Sequence, residues 1–512
     1  MSEFLLPDGI SLEAAGEALR QRLELARGGV RETDCTFYDT FDGLLHAEDL
    51  VLVGEAGRLS LVQPGAGVER AGIAMDAPTR PLLALELDPG PLRDALLPIV
   101  EVRALLPIAH VRSRVRSLDV LDDQRKTVVR IRLEEPALIS SGGRLTGLGP
   151  RLTLGLVRGY DKALTEVQDT LVRELGFMLA DRRLVEEAVA AAGGVPGGHS
   201  SKIDVPLSVS ERADAATAAV LRALLKVMQL TIEGMIADTD SEFLHDFRVA
   251  VRRSRAVQRE LKRVFPPAQL ARFREQFRWL QAITGEARDL DVYVLEFDQY
   301  RAMLPESLRG ELDPLLGVLS RRRRSAHRTM VRALRSERAA RLYAEWSDFL
   351  QGLEAAPVQD RPDATRPIGA LAGERIGKVY RRMLKQGGAI DDSSPPEHYH
   401  ELRKQGKELR YLLELFGAPL YPAEIVKPMV KSLKSLQDVL GRHQDREVQV
   451  ATLQSLGEEV SALPGGAGAL MAMGVLIQRL GEDERAARAE FAQNFAAFSS
   501  ELQRRLVKQT FK

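Results

Sequence analysis

The chain has 512 residues, 45% hydrophobic and 28% charged, a composition typical of globular proteins with two or more domains. Its 72 basic residues balance its 72 acidic ones, so charge-driven binding would need local segregation of charge. The single cysteine, Cys35, excludes an intramolecular disulfide and fits a reducing compartment. The N-terminal residues lack a secretory-signal pattern, and the absence of a run of about 18 apolar residues predicts no membrane span.

Residues 1–188 combine helix and strand patterns and predict an α+β domain with an antiparallel sheet. Predicted helices occupy Ser11–Ala26, Pro91–Val100 and Tyr160–Leu179. Short strand-like segments lie at Thr36–Tyr38, Leu50–Val53, Arg58–Val62 and Leu82–Leu87.

Two longer strands are predicted at Val111–Leu118 and Thr127–Glu134, joined by a hairpin turn near Asp122-Asp123. Because residues two apart share a sheet face, these strands present a row of arginines on one face. The row consists of Arg112, Arg114, Arg116, Arg130 and Arg132.

Residues 189–209 are rich in Gly, Pro and Ser and predict a linker. From residue 210 to 508 the apolar residues follow a helical period, which predicts an all-α domain. The predicted helices are 211–238, 241–265, 267–284, 286–303, 308–334, 337–353, 367–386, 396–416, 422–440, 444–456 and 466–508, the last broken near Gly481.

The predicted helix from Glu242 to Phe265 has a strongly basic face. Thr239 to Glu242 fits a capping box at its start, and Pro266-Pro267 prevents its continuation. Seven Lys or Arg and two acids lie between His245 and Phe265, so the like charges repel one another unless an anion binds. The basic face consists of His245, Arg248, Arg252, Arg255 and Arg259.

An internal repeat in the helical part predicts two similar bundles, at about 210–355 and 365–508. The pattern His-x-x-Arg-x-x-x-(Arg/Lys)-x-x-Arg begins at His245 and returns at His400, an offset of 155 residues. The pattern Leu-Gln-x-x-x-Gly-x-x-x-Asp begins at Leu280 and returns at Leu436, an offset of 156 residues. Packing about a pseudo-twofold axis would bring the two basic helices to one shared surface.

The glycine and aspartate of the second pattern allow two interpretations. Gly285 and Gly441 could end helices or permit close helix contact, with Asp289 and Asp445 near the start of the following helix. Alternatively, each aspartate could hold an arginine of the basic helix in place.

Further basic rows lie on other predicted helices. Charges three or four residues apart are roughly 5 Å apart along a helix, which suits a linear polyanion. Arg offers phosphate a bidentate fork and Lys a point charge. The alternative is that these residues face water or pair with nearby Glu. The rows are Arg321, Arg324, Arg328, Arg332 and Arg335; Arg375, Lys378, Arg382 and Lys385; and Lys427, Lys431 and Lys434.

Metal chemistry and catalysis are not predicted. His398, His400 and His443 have no His-Glu-x-x-His pattern or Cys partner, and nearby Arg and Lys would repel a cation. No nucleophile-elbow, P-loop or dinucleotide motif occurs, and Cys35 lies in a strand-like stretch. We therefore expect no catalytic residue, no metal ligand and no cofactor.

The helical part resembles the CHAD domain, the conserved histidine α-helical domain, over roughly residues 208–505. The resemblance rests on LHDFRVAVRRSRAVQRELKRVF, WLQAITGEARDLDV, HYHELRKQGKELRYLLELF and LKSLQDVLGRHQDREV, in that order. It implies two pseudo-symmetric helical bundles with a basic cavity, and inorganic polyphosphate binding with recruitment to polyphosphate granules. The phosphate-facing residues that it implies are His245, Arg248, Arg252, Arg255, His400, Arg403, Lys404, Lys407 and Arg410.

The N-terminal part resembles a CYTH domain, the triphosphate tunnel metalloenzyme fold, through TFYDTFDGLLHAEDLVL, VRSRVRSL, TVVRIRLEE and GYDKALTEV. Catalytic members open with a Glu-x-Glu-x-Lys strand, whereas this chain opens with MSEFLLPDGI. Leu50–Val53 also stands where the family carries alternating arginines. Without paired acidic ligands a catalytic Mg²⁺ has little to hold it, so the resemblance implies a catalytically degenerate domain.

Together these patterns predict a cytoplasmic, non-enzymatic polyphosphate-binding protein whose partners are polyphosphate and granule-associated proteins, with no membrane partner. One alternative is a metal-dependent triphosphatase or polyphosphatase in the N-terminal domain. The other is a nucleic-acid-binding protein, against which the scarcity of aromatic residues on the basic faces argues. The predicted polyphosphate-binding residues are His245, Arg248, Arg252, Arg253, Arg255, Arg259, Arg324, Arg328, Arg375, Lys378, Arg382, His400, Arg403, Lys404, Lys407, Arg410, Lys427, Lys431 and Lys434.

Overall fold

The computed structural model describes residues 3–7, 9–26, 28–64, 68–391 and 393–511. The chain divides into two compact units, Met1–Ser201 and Lys202–Lys512. The boundary between the units lies inside the segment 189–209 that was predicted to be a linker.

The first unit is built on an antiparallel sheet in which the strands follow the order β12-β1-β11-β9-β8-β3-β4-β5-β6. Its described strands are β1 (Glu3–Leu5), β2 (Leu25–Ala26), β3 (Val30–Asp39), β4 (Val51–Glu55), β5 (Arg58–Gln63), β6 (Val68–Ala74), β7 (Leu82–Leu83), β8 (Ala104–Leu121), β9 (Thr127–Ile139), β10 (Leu145–Gly147), β11 (Arg151–Leu156) and β12 (Met178–Leu179). Its described helices are α1 (Leu12–Arg20), α2 (Leu44–Ala47), α3 (Pro91–Val100), α4 (Asp161–Arg173) and α5 (Leu184–Ala191).

The predicted hairpin of long strands is present as β8 and β9, and both strands extend beyond their predicted bounds. The carboxylate of Asp122 accepts hydrogen bonds from the backbone N–H groups of Gln124 and Lys126, which closes the turn. On the inner face of β8, Val111 and Val115 are fully buried. The alternation of apolar and polar residues therefore sets which face of this hairpin enters the core.

Two predicted helices of the first unit are shorter than expected because the residues at their C-terminal ends pair with strands of the sheet. The helix predicted over Ser11–Ala26 ends at Arg20, since Leu25–Ala26 pairs with β8. The helix predicted to reach Leu179 ends at Arg173, Gly176 has a φ of 71°, and Met178–Leu179 pairs with β1.

The second unit is helical, as predicted. Its described helices are α6 (Ala213–Ile236), α7 (Ser241–Glu260), α8 (Pro267–Ile283), α9 (Gly285–Leu295), α10 (Phe297–Ala302), α11 (Glu306–Arg309), α12 (Asp313–Leu334), α13 (Glu337–Gly352), α14 (Ile368–Gly387), α15 (Pro396–Leu412), α16 (Ala418–Leu420), α17 (Ala423–Ser455), α18 (Gly457–Ser461), α19 (Gly466–Phe498) and α20 (Glu501–Thr510). A π-helical turn, Leu413–Gly417, joins α15 to α16.

Two predicted breaks are wrong. Helix α17 continues through residues 440–444, and α19 passes Gly481 without interruption. The break instead falls at Ser499 and Ser500, where the Ser500 hydroxyl accepts a hydrogen bond from the Gln503 N–H and caps α20. A single glycine inside an otherwise apolar-periodic helix was too weak a signal to end it.

The N-cap of α7 lies one residue later than the predicted N-cap. The carboxylate of Asp240 accepts from the N–H groups of Glu242 and Phe243, so Asp240 is the N-cap in place of Thr239. The apolar stripe of the helix, which includes Phe247 and Val251, is fully buried. This burial fixes the rotation of the helix and thereby the direction of its basic face.

Among the described helices, α6 alone is long and apolar enough to cross a membrane by length and composition, although the sequence predicted no span. Within the structure, 56% of its most apolar window is buried. Core helices of helical bundles have the same character.

Candidate functional site

The two basic helices of the repeat, α7 and α15, pack against each other. Arg253 on α7 donates a hydrogen bond to Glu414 in the π-helical turn at 2.6 Å. Arg259 on α7 is paired with Glu408 on α15. The repeat therefore brings its two basic helices to one surface, as its order and offset predicted.

The second pattern of the repeat anchors the arginines of the first. In the first half, Arg248 donates to the backbone oxygen of Gln281 at 3.0 Å and to the hydroxyl of Thr284 at 2.9 Å. Arg255 donates to the side-chain oxygen of the same Gln281. These acceptors are neutral, so they orient the guanidinium groups without cancelling their charge.

The second half repeats the arginine–glutamine contact at the equivalent position, whereas the counterpart of Arg248 has a different acceptor. Arg410, the counterpart of Arg255, donates to Gln437 Oε1 at 3.1 Å. Arg403, the counterpart of Arg248, donates to Asp445 at 2.9 Å. Asp445 thus holds an arginine, which is the second of the two interpretations that the sequence allowed.

Neither glycine of the pattern ends a helix. Gly285 opens α9, and Gly441 lies inside α17. A Cβ placed on either glycine would lie 3.8 Å from a guanidinium nitrogen, that of Arg248 or of Arg403 respectively. At each glycine the anchoring helix therefore approaches the guanidinium group of its arginine closely.

The histidines at the heads of the two rows also occupy equivalent environments. Nδ1 of His245 lies 3.0 Å from Arg288, and Nδ1 of His400 is hydrogen-bonded to Gln444, the residue that corresponds to Arg288 in the repeat. His443 is buried and stacks on Tyr399 at 4.7 Å, a packing role. Within the described ranges, no group of three His, Cys, Asp or Glu side chains could hold a metal ion.

Arg252 and Lys407 occupy equivalent positions in the repeat, at the middle of each basic row. Neither side chain makes a hydrogen bond or an ion pair with another residue that the structure describes, although both are partly buried. Burial, together with repulsion from Arg403 and Arg252, lowers the pKa of Lys407 to about 8. Burial also lowers the pKa of Arg248 to about 10.

Lys407 lines a cavity of about 410 Å³ between α15 and α17. Its volume is within the range of small-molecule sites, and five cationic side chains face three carboxylates around it. The cations are Arg403, Lys407, Arg410, Arg442 and Arg446, and the carboxylates are Glu296, Asp438 and Asp445.

Sequence reasoning missed Arg442 and Arg446 in this lining. They follow Asp438 at four-residue spacing on α17, so helical periodicity around the Gly441 motif could have identified them. Both are anchored by acids of α19: Arg446 donates to Asp483 at 2.7 Å, and Arg442 lies 2.6 Å from Glu490.

Of the predicted binding residues, Arg403, Lys407 and Arg410 line this cavity, and the others that the structure describes, including all of those on α7, do not. Arg375 is 9% exposed and donates to Asp363 at 3.5 Å, so it lies in the packed interior and not on a basic face with Lys378. Arg382 is paired with Glu408, and Lys404 with Glu401, both at 2.8 Å. The following predicted residues are exposed and have no side-chain partner among the described residues: Arg324, Arg328, Lys378, Lys427, Lys431 and Lys434.

In the first unit, carboxylates neutralise much of the predicted arginine row. Arg112 forms a bidentate pair with Asp34 at 2.7 and 2.8 Å, and Arg114 is paired with Glu13. Arg132 lies 3.2 Å from Glu55 and 3.4 Å from Glu134. The prediction of a single row is also wrong, because the register places Arg132 opposite Ser117 and Arg130 opposite Asp119. Both therefore lie on the sheet face opposite to that of Arg112, Arg114 and Arg116. Each face offers an anion far less charge than the sequence suggests.

Cys35 lines a cavity of about 230 Å³ in the same unit, together with Arg132 and Glu134. Burial raises the pKa of its thiol to about 12, which keeps it protonated and unreactive at neutral pH.

Comparison with known families matches the CHAD domain to residues 219–454. Two relatives from Mycobacterium tuberculosis, "Uncharacterized protein MT2285" of strain CDC 1551 / Oshkosh and "Uncharacterized protein Rv2226" of strain ATCC 25618 / H37Rv, are each 28% identical over 314 residues. These alignments cover 57% of this chain and 56% of each relative, so the chain spans about half the length of these curated relatives.

Two solved structures are also similar to the helical part. The CHAD domain from the plant Ricinus communis is 24% identical with a TM-score of 0.48, covering 57% of this chain and 95% of that chain. PptA from Streptomyces chartreusis is 19% identical with a TM-score of 0.43, covering 56% of this chain and 99% of that chain. The antiparallel sheet of the first unit is compatible with the CYTH-like resemblance of its sequence.

Proposed function

The helical unit carries a CHAD domain at residues 219–454, and from this premise we propose that the protein binds inorganic polyphosphate where α7 meets α15. The family match supports a function connected with polyphosphate. The cavity between α15 and α17 supports polyphosphate as the specific ligand, because five cationic side chains line it.

One observation carries the proposal. Arg252 and Lys407 occupy equivalent positions in the two halves of the repeat, near enough for their charges to repel, and both are partly buried without a hydrogen-bonding partner among the described residues. Holding unpaired cations in a partly desolvated place is unfavourable, and a bound anion would reverse this. An anion with several negative charges in a row would contact both halves at once.

The binding mechanism is multivalent hydrogen bonding to phosphate oxygens. Arg248 and Arg255 are already oriented by neutral acceptors, and Arg410 by Gln437 together with Glu414, so little side-chain freedom remains to be lost on binding. Each exposed contact contributes about 1 kcal/mol or less, and roughly ten together, with counterion release, give tight binding that weakens in salt.

We place this activity in the cytoplasm at polyphosphate granules, where a binding protein without catalytic residues would act as an adaptor toward granule-associated proteins. Attached to a fluorescent protein, the chain should colocalise with polyphosphate granules. A diffuse distribution that ignores the granules would remove this part of the proposal.

The proposal is tested by charge reversal in the groove. The variant Arg252→Glu/Arg255→Glu/Lys407→Glu/Arg410→Glu should lose measurable binding to long-chain polyphosphate and keep its helical circular dichroism spectrum. Affinity that survives these substitutions would mean that the ligand binds another face.

Competition identifies the ligand class. Long-chain polyphosphate should displace labelled single-stranded RNA of equal charge at low concentration, whereas RNA should displace polyphosphate poorly, because the groove has few aromatic side chains for base stacking. The reverse order would favour the nucleic-acid alternative.

A further inference from the structure

Residues 321–341 form an arginine-rich segment that contributes no lining residue to the cavity between α15 and α17, called the first groove below. Nine arginines and one acid occur in these 21 residues. The segment covers the second half of α12, the short connection after Leu334, and the first turns of α13.

Three of these arginines are paired with carboxylates. Arg323 donates to Asp238 and Asp291, which pins α12 to α9. Arg321 and Arg322 pair with Glu459. The remaining exposed arginines that have no side-chain hydrogen bond or ion pair to any described residue are Arg324, Arg328, Arg332, Arg335 and Arg341.

A second groove, of about 220 Å³, lies between α8 and α13 at the end of this row. Arg272, Arg338 and Arg341 line it, and its one carboxylate among the described residues, Glu345, lies 3.2 Å from Arg272. The groove therefore keeps a net positive charge.

Arg338 is held in position at this second groove by uncharged contacts. It donates to Gln276 Oε1 at 2.9 Å, and its guanidinium lies 4.3 Å above the ring of Trp279. An arginine oriented by a glutamine is also the arrangement seen for Arg255 and Arg410 in the first groove.

The row on α12 leads directly to this groove. Arg335 is the last arginine before α13, and Arg338 follows it by three residues in the first turn of the next helix. The exposed arginines of α12 recur every three or four residues, so they form one continuous positive strip that ends in a groove.

We propose that this strip and groove, the α12–α13 surface, bind a second stretch of the same polyphosphate chain. The inference rests on the proposed function and deepens it by naming how chain length is recognised. Charge complementarity selects the occupant: the strip is linear and carries only arginine. The lining of the groove contains no aromatic side chain among the described residues, and Arg338 covers one face of Trp279, which disfavours base stacking.

Chain-length dependence follows from this arrangement. A short phosphate oligomer occupies the first groove alone, whereas a long chain bound there presents further phosphates to the α12–α13 surface at high effective concentration. Affinity per chain should therefore rise with length until both surfaces are occupied.

The test compares two probes, tripolyphosphate and polyphosphate of about 100 units, by isothermal titration calorimetry on the full chain. The variant Arg328→Gln/Arg332→Gln/Arg341→Gln should bind tripolyphosphate like the wild type and lose roughly tenfold in affinity for the long chain. The matched control Arg479→Gln/Arg485→Gln/Arg504→Gln removes the same charge from exposed positions on α19 and α20.

Long-chain affinity that falls equally in both variants would overturn the inference, because net charge alone would then explain it. It would also be overturned if the α12–α13 variant lost affinity for single-stranded RNA and kept its affinity for the long polyphosphate. A wild type that binds neither phosphate probe would instead refute the proposed function itself, so the two failures are distinguishable.

Discussion

Arginines that recur at regular spacing have different partners in the two units. On the sheet, Arg112, Arg114 and Arg132 are each paired with a carboxylate. In the helical unit, Arg248 and Arg255 donate to neutral oxygens. A carboxylate orients an arginine and cancels its charge, whereas an amide or hydroxyl orients it and leaves the charge available.

Some arginines of the helical unit are also paired with carboxylates. Arg403 donates to Asp445, and Arg410 lies 3.4 Å from Glu414 as well as bonding Gln437. Arg252 and Lys407 have no partner of either kind among the described residues. Between the two halves of the repeat, the unpaired positive charge therefore lies at Arg252 and Lys407, and a separate set of unpaired arginines lies on the α12–α13 surface.

Removing this free charge should have the largest effect. The variant Arg252→Gln/Lys407→Gln should bind long-chain polyphosphate at least about 100-fold more weakly at low salt, because each side chain makes a partly desolvated contact. The matched sheet variant Arg112→Gln/Arg114→Gln removes the same formal charge and should change affinity less than about threefold. Equal losses in a fluorescence anisotropy titration would show that position does not matter.

Replacing the neutral acceptors of the arginines with carboxylates, the acceptors found on the sheet, should have the next largest effect on polyphosphate affinity. In Gln281→Glu/Gln437→Glu, Arg255 and Arg410 would become paired with carboxylates, and polyphosphate affinity should fall roughly tenfold or more. The variant Gln281→Leu/Gln437→Leu removes the anchors without adding charge and should show a smaller loss. If the two variants bound alike, orientation would matter and neutralisation would not.

Raising the pH should weaken binding through Lys407, whose pKa in the free protein is about 8. A bound anion favours the protonated amine, so binding takes up a proton whenever the free amine is partly deprotonated. Between pH 7 and pH 9 the affinity should fall by up to about tenfold through this one group.

Calorimetry in two buffers of different ionisation enthalpy should detect this proton uptake near pH 8. Lys407→Arg keeps the charge at all these pH values and should flatten the dependence on pH. A wild-type affinity that stays constant from pH 7 to pH 9 would contradict the assignment of Lys407 to the site.

The smallest predicted effects are changes in the free energy of unfolding, and they have opposite signs in the two units. Folding lowers the pKa of Lys407, so its charged form opposes folding below pH 8, and stability should rise with pH above that value. Lys407→Met should therefore raise the free energy of unfolding at pH 7 by about 1 kcal/mol. Arg132→Met would leave Glu134, which is 4% exposed, without its cation and should lower it by about 2 kcal/mol.

Urea titrations can separate these two effects because both tryptophans, Trp279 and Trp346, lie in the helical unit. Tryptophan fluorescence should report Lys407→Met, and far-ultraviolet circular dichroism should report Arg132→Met. Destabilisation by Lys407→Met would mean that the lysine has a stabilising partner and is not free for a ligand.

The fold and the first groove could be predicted largely because local patterns carry them. Helical period placed α7 and α15, and the common offset of two motifs predicted that they share a surface. Helix ends were less predictable where distant strands decide them: Leu25–Ala26 leaves its predicted helix because β8 offers backbone partners. Propensity along the chain contains no information about such pairing.

Which arginines of the rows are paired with carboxylates could not be predicted for the same reason. Arg114 is neutralised by Glu13, which is 101 residues away in sequence, and Arg375 is buried against Asp363. Conversely, Arg442 and Arg446 enter the groove because α17 continues past Gly441, where the sequence predicted a break. Spacing shows which side chains share a face, but tertiary packing decides which of them keep a free charge.

The central claim is tested most directly by measuring the dissociation constant for long-chain polyphosphate at several salt concentrations. We predict tight binding at low salt and a steep linear fall of the logarithm of affinity with the logarithm of salt concentration, with a slope shallower by about 2 in Arg252→Gln/Lys407→Gln. The absence of binding at low salt, or a slope unchanged in the double variant, would contradict the account.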